Sequence, residues 1–205
     1  MNDAAIRDAD RTRGQILDAA FDLFIDRGFA AVSIREIAVR SGVTKSLIHH
    51  HFGGKEALWE AVKEKAFGQY YQDQKDDLDA TDSPGPDLLI RGVTSYFEFL
   101  RDNPRVVRLF GWTHLEGDTS CSHLDADLVR LGAQRIRQAQ ENGLLRDDVN
   151  PTHVVTMFIS LCTQWFQARE HHRAWPGMGQ DQEFLDDFLK VLMEGLLPRP
   201  EANQA

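Results

Sequence analysis

Apolar residues return along this chain with the period of a helix. Ile16, Leu17, Ala20, Phe21, Phe24 and Ile25 fall on one stripe of an amphipathic helix. Gly28, just behind them, is placed to cap its C-terminus. Ser33-Ile34-Arg35-Glu36 has the form of a capping box, in which the serine hydroxyl and the glutamate carboxylate satisfy orphan backbone N–H groups. It predicts a short helix from there to about Arg40. Ser41-Gly42-Val43 reads as a turn in which Gly42 supplies a positive φ. Thr44 then caps a third short helix that ends near His51. Phe52-Gly53-Gly54 interrupts the pattern, and a long helix begins near Lys55 and runs to about 80. The prolines of Ser83-Pro84-Gly85-Pro86 stop helix continuation, so 79–87 reads as a linker. Helical stretches follow at about 87–101, 104–115, 124–141, 151–172 and 182–197, divided by Pro and Gly signals. With no strand pattern and no internal repeat, the fold class is all-α, with about nine helices.

The segment from Ser33 to Phe52 has the proportions of a helix-turn-helix. On the second of its helices, Thr44, Ile48, His51 and Phe52 share an arc of about 100°. Ile48 and Phe52 therefore point into a small core with Ile34, Ile37 and Val43. Ser46, His49 and His50 point away, with Lys45 and Leu47 on the flanks. In DNA-binding proteins built this way the outward face enters the major groove. On pattern alone an ordinary helical hairpin is the favoured reading.

Charge first argues against nucleic acid, then for it. The formal net charge of the 205 residues is −9, the wrong sign for a polyanion binder. Residues 1–65, however, hold 10 basic and 10 acidic groups, so the whole excess lies in 66–205. Within 27–55, Arg27, Arg35, Arg40, Lys45 and Lys55 face one acid, Glu36, and His49, His50 and His51 sit among them. An acidic body with one short basic segment can bind a polyanion locally. Lys55 opens a helix, where the dipole disfavours a cation by about 0.3–1 kcal/mol, and a phosphate at that N-terminus would account for it. Two cysteines, Cys121 and Cys162, are too few for a disulfide framework and fit a reducing compartment. No apolar run is long enough to cross a membrane, and the N-terminus has no signal-peptide core. The expectation is a soluble cytoplasmic protein with no membrane partner.

The order Gln15-Ile16-Leu17-Asp18-Ala19-Ala20, Phe24, Gly28-Phe29, Val32-Ser33-Ile34-Arg35-Glu36-Ile37-Ala38, Ser41-Gly42-Val43-Thr44-Lys45 and His51-Phe52-Gly53-Gly54-Lys55-Glu56-Ala57-Leu58 resembles the N-terminal domain of the tetracycline-repressor family of transcription regulators. Beyond residue 60 the resemblance is architectural only. It implies a three-helix DNA-binding domain over 1–58, with helix 4 starting near 55 as the connection, and a ligand-binding and dimerisation domain over 59–205. Ser33, Arg35, Thr44, Lys45, Ser46, Leu47, His49, His50 and Lys55 become the candidate DNA contacts. The chain departs from the family where a glycine is common, at Ser46, and where aromatic residues are common, at His49 and His50. Those departures bear on which DNA sequence is read and on its pH dependence.

Two C-terminal stretches carry more apolar surface than one buried face needs. Val154, Val155, Met157, Phe158, Ile159, Leu161, Cys162, Trp165 and Phe166 sweep about 200° of their helix, against the stripe of about 100° of a one-sided helix. Phe184 to Leu197 sweep about 240°. Burial on two sides follows, and the resemblance makes the second partner another copy, in a homodimer through helices near 151–172 and 182–197. A two-fold dimer matches a palindromic operator on double-stranded DNA. Phe97, Phe110, Trp112, His114, Phe158, Cys162 and Trp165 can line an apolar cavity, or simply pack as core. The resemblance implies an inducer pocket there, for a small hydrophobic or aromatic effector that releases a repressor from DNA.

Two other classes stay open. One is a helical interaction protein that keeps the scaffold without binding DNA. The other is a metal-dependent enzyme built on His49-His50-His51, or on Cys121-Ser122-His123 with His114. Consecutive histidines diverge by about 100° on a helix, and no phosphate loop, zinc-protease motif or nucleophile elbow is present. No enzyme activity, metal or cofactor is therefore expected.

Overall fold

In the computed structural model, residues 3–80, 85–118 and 123–198 are described. They form ten helices and no strand: α1 (Asp3–Arg27), α2 (Ile34–Ser41), α3 (Lys45–Phe52), α4 (Lys55–Ala80), α5 (Pro86–Asp102), α6 (Pro104–Leu115), α7 (His123–Glu141), α8 (Pro151–Gln167), α9 (Arg169–His172) and α10 (Asp181–Leu196). The stretch expected as one helix over 151–172 is two, broken at Ala168, whose N–H closes α8 on the Gln164 carbonyl and whose carbonyl receives the His172 N–H at 2.9 Å. Ser83 and Pro84 of the expected linker lie outside the described residues, but Gly85 and Pro86 stand at the start of α5 as N-cap and first-turn proline.

Contacts group the chain into two units, Met1–Gln69 with Arg108–Ser122, and Tyr70–Val107 with His123–Ala205. The first is larger than the expected 1–58 segment for a packing reason. Ile16, Phe24, Ile37 and Ile48 share one hydrophobic cluster with Leu58, Val62 and Leu109, all fully buried. The first half of α4 and the end of α6 are thus part of the core that supports α2 and α3. Helices α4 and α6 each contribute residues to both units.

Within the first unit, the segment after α6 is tied to the start of the helix-turn-helix. Gly28 adopts a left-handed φ of +79°, and a Cβ there would lie 2.8 Å from Trp112 and 2.5 Å from Glu116 Oε1. Trp112 Nε1 donates to the Ile25 carbonyl at 2.9 Å, and the Glu116 carboxylate accepts from the Phe29 and Ala30 N–H groups at 3.2 and 3.0 Å. Two residues on, Asp118 accepts from Trp59 Nε1 at 2.7 Å and from Lys63 Nζ at 2.8 Å. Burial works against the Lys63 charge, but the hydrogen bonds to Asp118 and Glu60 outweigh it and hold the ammonium pKa above its ordinary value.

In the second unit α8 packs against α5, α7 and α9, and α10 packs against α5. Tyr96 and Thr163 join α5 to α8 through a buried hydroxyl pair at 2.8 Å. Cys162 is fully buried, and burial pushes its thiol up to about 12, so it behaves as a core residue and not as a nucleophile. No helix among the described residues is long and apolar enough to cross a membrane.

Candidate nucleic-acid interface

The helix-turn-helix forms as its local signals dictate. Ser33 caps α2 by accepting from the Glu36 N–H at 3.3 Å, and Glu36 reaches back to the Ser33 N–H at 2.8 Å. Arg27 Nη1 donates to the same carboxylate at 2.7 Å. Hydrogen bonds from Ser33 and then Arg27 hold Glu36 at a pKa of about 2. The one acid of the basic segment is thereby neutralised from inside the unit, while Arg35 and Lys45 stay exposed. Gly42 makes the turn in the left-handed region, φ 71° and ψ 18°. Thr44 caps α3 by accepting from the Leu47 N–H at 3.3 Å.

Ile48 is fully buried and fixes which side of α3 faces out. Of the nine candidate contacts, Ser33, Arg35, Thr44, Lys45, Ser46, Leu47, His49 and His50 are exposed. Lys55 is the exception. It is half-buried, with Nζ 4.2 Å from the centre of the Phe29 ring and 3.4 Å from the Ala30 carbonyl. A cation–π contact inside the unit explains a lysine at that helix start without a phosphate.

His49 gains a definite chemistry. Its Nδ1 lies 3.0 Å from the Gly53 carbonyl. A carbonyl only accepts, so Nδ1 carries the proton in this bond and the neutral ring offers Nε2 as an acceptor. Protonation turns the same atom into a donor. His50 and His51 meet edge to face with ring centres 5.4 Å apart, while His49 turns to the Gly53 carbonyl. Among the described residues no group of three or more His, Cys, Asp or Glu side chains is placed to hold a metal ion. Cys121 and Ser122 lie outside the described residues.

The seven candidate pocket residues are divided. Phe97, Phe158, Cys162 and Trp165 belong to the second unit, whereas Phe110, Trp112 and His114 belong to the first. Trp112 packs over Gly28 as described, Phe110 meets Phe67 at 5.9 Å, and His114 is exposed, with Nδ1 2.9 Å from the Phe110 carbonyl.

Sequence reasoning missed Glu116 and Asp118, which seat the turn before α2 and the start of α4. Their partners lie 55 to 87 positions away in the chain, so no local pattern announces them. It also missed Val39, an apolar residue of α2 that is 78% exposed within the basic segment. Burial against periodicity was the signal available there.

Residues 16–62 match the family model for bacterial regulatory proteins of the tetR family, and residues 93–186 match that for a tetracyclin repressor-like C-terminal domain. The chain belongs to the tetR family. As a tetR-family protein it is a DNA-binding regulator of transcription. Among relatives, the HTH-type transcriptional repressor NicS of Pseudomonas putida is 29% identical over 162 residues, 75% of each chain. The HTH-type transcriptional activator FasR of Mycolicibacterium smegmatis is 33% identical over 148 residues, 72% of this chain and 65% of that one. In fold, the chain is similar to the putative transcriptional regulator SCO4942 of Streptomyces coelicolor, at a TM-score of 0.68 and 21% identity over 92% of this chain and 99% of that chain. It is likewise similar to FadR of Bacillus subtilis, solved in complex with stearoyl-CoA, at a TM-score of 0.68 and 16% identity over 89% and 98%.

Proposed function

We propose that this tetR-family regulator is a cytoplasmic repressor that binds a palindromic operator as a homodimer and is released by a small hydrophobic or aromatic effector. The observation that carries the DNA assignment is α3. It buries Ile48 and exposes Lys45, Ser46, Leu47, His49 and His50, with no acid in its first turn. Lys45 and Arg35 serve the phosphates. Ser46 and His49 face the base edges, and Leu47, 40% exposed, suits a thymine methyl. Ser33 and Thr44 are capping residues first, with hydroxyl oxygens still available to phosphate. Lys55 is the weakest of the nine because its ammonium already has an aromatic partner.

Dimerisation is supported by apolar side chains that the chain itself leaves uncovered: Met157 and Leu161 on α8, 51% and 48% exposed, and Val191 on α10, 70% exposed. A second copy is the partner we assign to them. For the effector we keep Phe97, Phe158, Cys162 and Trp165 as the lining, since they share one unit. Repression follows NicS, which is named a repressor; FasR, named an activator, marks the alternative sign. Effector binding would shift α4 and so the spacing of the two α3 helices, which requires the effector to bind one spacing better than the other. No step of this reading calls for catalysis.

Selection of genomic fragments by the purified protein tests it. A recovered palindrome should bind with an affinity that falls steeply with salt, and Lys45→Ala and His49→Ala should each weaken it by about tenfold without loss of helicity. Failure to enrich any fragment would favour a helical interaction protein instead. Enrichment with both variants unchanged would refute the α3 assignment alone.

A further inference from the structure

A cleft of about 420 Å³ opens at the end of α8, lined from α5, α8, α9 and the start of α10. Its size suits a small organic ligand. Its chemistry runs against its surroundings. Residues 66–205 hold 22 acidic and 13 basic groups, yet Arg101, Arg169 and Arg173 converge here with one lining carboxylate, Asp181. Asp181 is already committed, to Arg169 and to Trp165 Nε1 at 3.1 Å.

The other two arginines hold carboxylates that do not line the cleft. Arg101 is on Asp102 at 2.9 Å and Arg173 on Glu170 at 2.6 Å, and those acids are 63% and 82% exposed. Pairs so open to water exchange readily for a better anion, and a guanidinium has five N–H groups to offer.

Two further features select the rest of the ligand. Trp165 is almost fully buried and stacked on Phe184 at 3.9 Å and 12°, so it presents a rigid aromatic wall. His172, 5.7 Å from the Trp165 ring, also lines the cleft, and its Nδ1 is buried with no hydrogen-bond partner. A buried polar atom without a partner is rare enough to need a reason, and a ligand oxygen supplies one. The rim is built as well. Glu183 closes on the Gln180 N–H at 2.8 Å, and Gly179 approaches so near that a Cβ would lie 2.5 Å from the Glu183 carboxylate.

We propose that this cleft is a binding site for a small aromatic carboxylate. Its carboxylate lies between Arg101 and Arg173 with an oxygen on His172 Nδ1, and its ring lies along Trp165. The site shares Trp165 with the apolar effector lining proposed above, but its polar partners Arg101, Arg173 and His172 are its own, so it stands whether or not that lining is right.

The test is titration calorimetry on the purified full-length protein with 2-naphthoate, its neutral amide 2-naphthamide, and inorganic phosphate. Naphthoate should bind once per chain with a Kd below about 1 mM, and the amide and phosphate at least about tenfold more weakly. Arg101→Gln, at a half-buried position, and Arg173→Gln, at an exposed one, should each weaken naphthoate by about tenfold with an unchanged thermal midpoint. No naphthoate binding up to about 5 mM would overturn the proposal. So would equal binding of the amide, or unaltered affinity in both arginine variants.

Discussion

In the unit that carries the helix-turn-helix, Ile16, Phe24, Ile37, Ile48, Leu58 and Leu109 are all fully sequestered, whereas α10 of the other unit buries only Leu185 and Leu196. The first unit closes a continuous apolar core within the chain, leaving Val39, Leu47 and Leu115 outside it, and Ser33, Gly42 and Thr44 close the caps of α2 and α3. The second has a core at Phe97, Leu100 and Cys162 but leaves Met157, Leu161 and Val191 exposed. The difference teaches where to look for partners. A closed unit offers a polar, basic face and can meet DNA without rearranging its core. A unit with uncovered apolar side chains on long helices is one whose sequence has been shaped by something outside it.

The strongest test of this contrast is Phe24→Ala. Phe24 is fully buried and meets Trp59 edge to face at 5.1 Å. Truncation should cost about 3–5 kcal/mol in urea or guanidinium unfolding. A loss below about 1 kcal/mol would mean that the first unit is less closed than described.

Gly28→Ala comes next. It combines a left-handed φ with contacts to Trp112 and Glu116, and should cost about 1–3 kcal/mol. It should also weaken DNA binding, because the same contacts seat the turn before α2. Glu116→Gln should have the same direction and a smaller size, since it keeps one oxygen for the two N–H groups. Full DNA affinity in both variants would detach the segment after α6 from the support of the helix-turn-helix.

Val191→Lys and Leu161→Lys probe the other side of the comparison. Each should leave helicity and cooperative unfolding intact, while sedimentation shows dimers giving way to monomers and the melting temperature stops rising with protein concentration. A stability loss like that of Phe24→Ala would show these positions to be core, and the contrast between the units would collapse.

The smallest effect concerns Glu36. Its folded pKa, about 2, is below the ordinary value of 4.5. Its contribution is therefore fully present above about pH 5 and is lost as the pH falls through the folded value. The stability gap between the native chain and Glu36→Gln should narrow steadily between pH 5 and pH 3 in acid-titrated thermal melts. A gap that widens on acidification would contradict the Ser33 and Arg27 hydrogen bonds.

The N-terminal fold was legible because its information is local. Ser33 with Glu36, Gly42 and Thr44 each act within four residues, and the periodicity of Ile16 to Ile25 and the placement of Ile48 follow from helix geometry alone. The exposed face of α3 could be read for the same reason. The break at Ala168 could not, because no proline or glycine marks it before Pro176. The pocket residues were grouped by aromatic character and neighbourhood in sequence, and packing separated them. Trp112 is held by Gly28 and Ile25, far back in the chain, and Trp165 by Phe184 and Asp181. For Lys55 the fold brings Phe29 beneath the ammonium, a partner that no local pattern announces. By itself the sequence determined the helices, their caps and the outward face of α3, since those depend on interactions a few residues apart. Only the tertiary structure decided that Glu116 and Asp118 support the DNA-binding unit, and that three arginines of an acidic region share one cleft with a buried, unpartnered His172 nitrogen. Those arrangements join residues tens of positions apart, and it is packing, not periodicity, that brings them together.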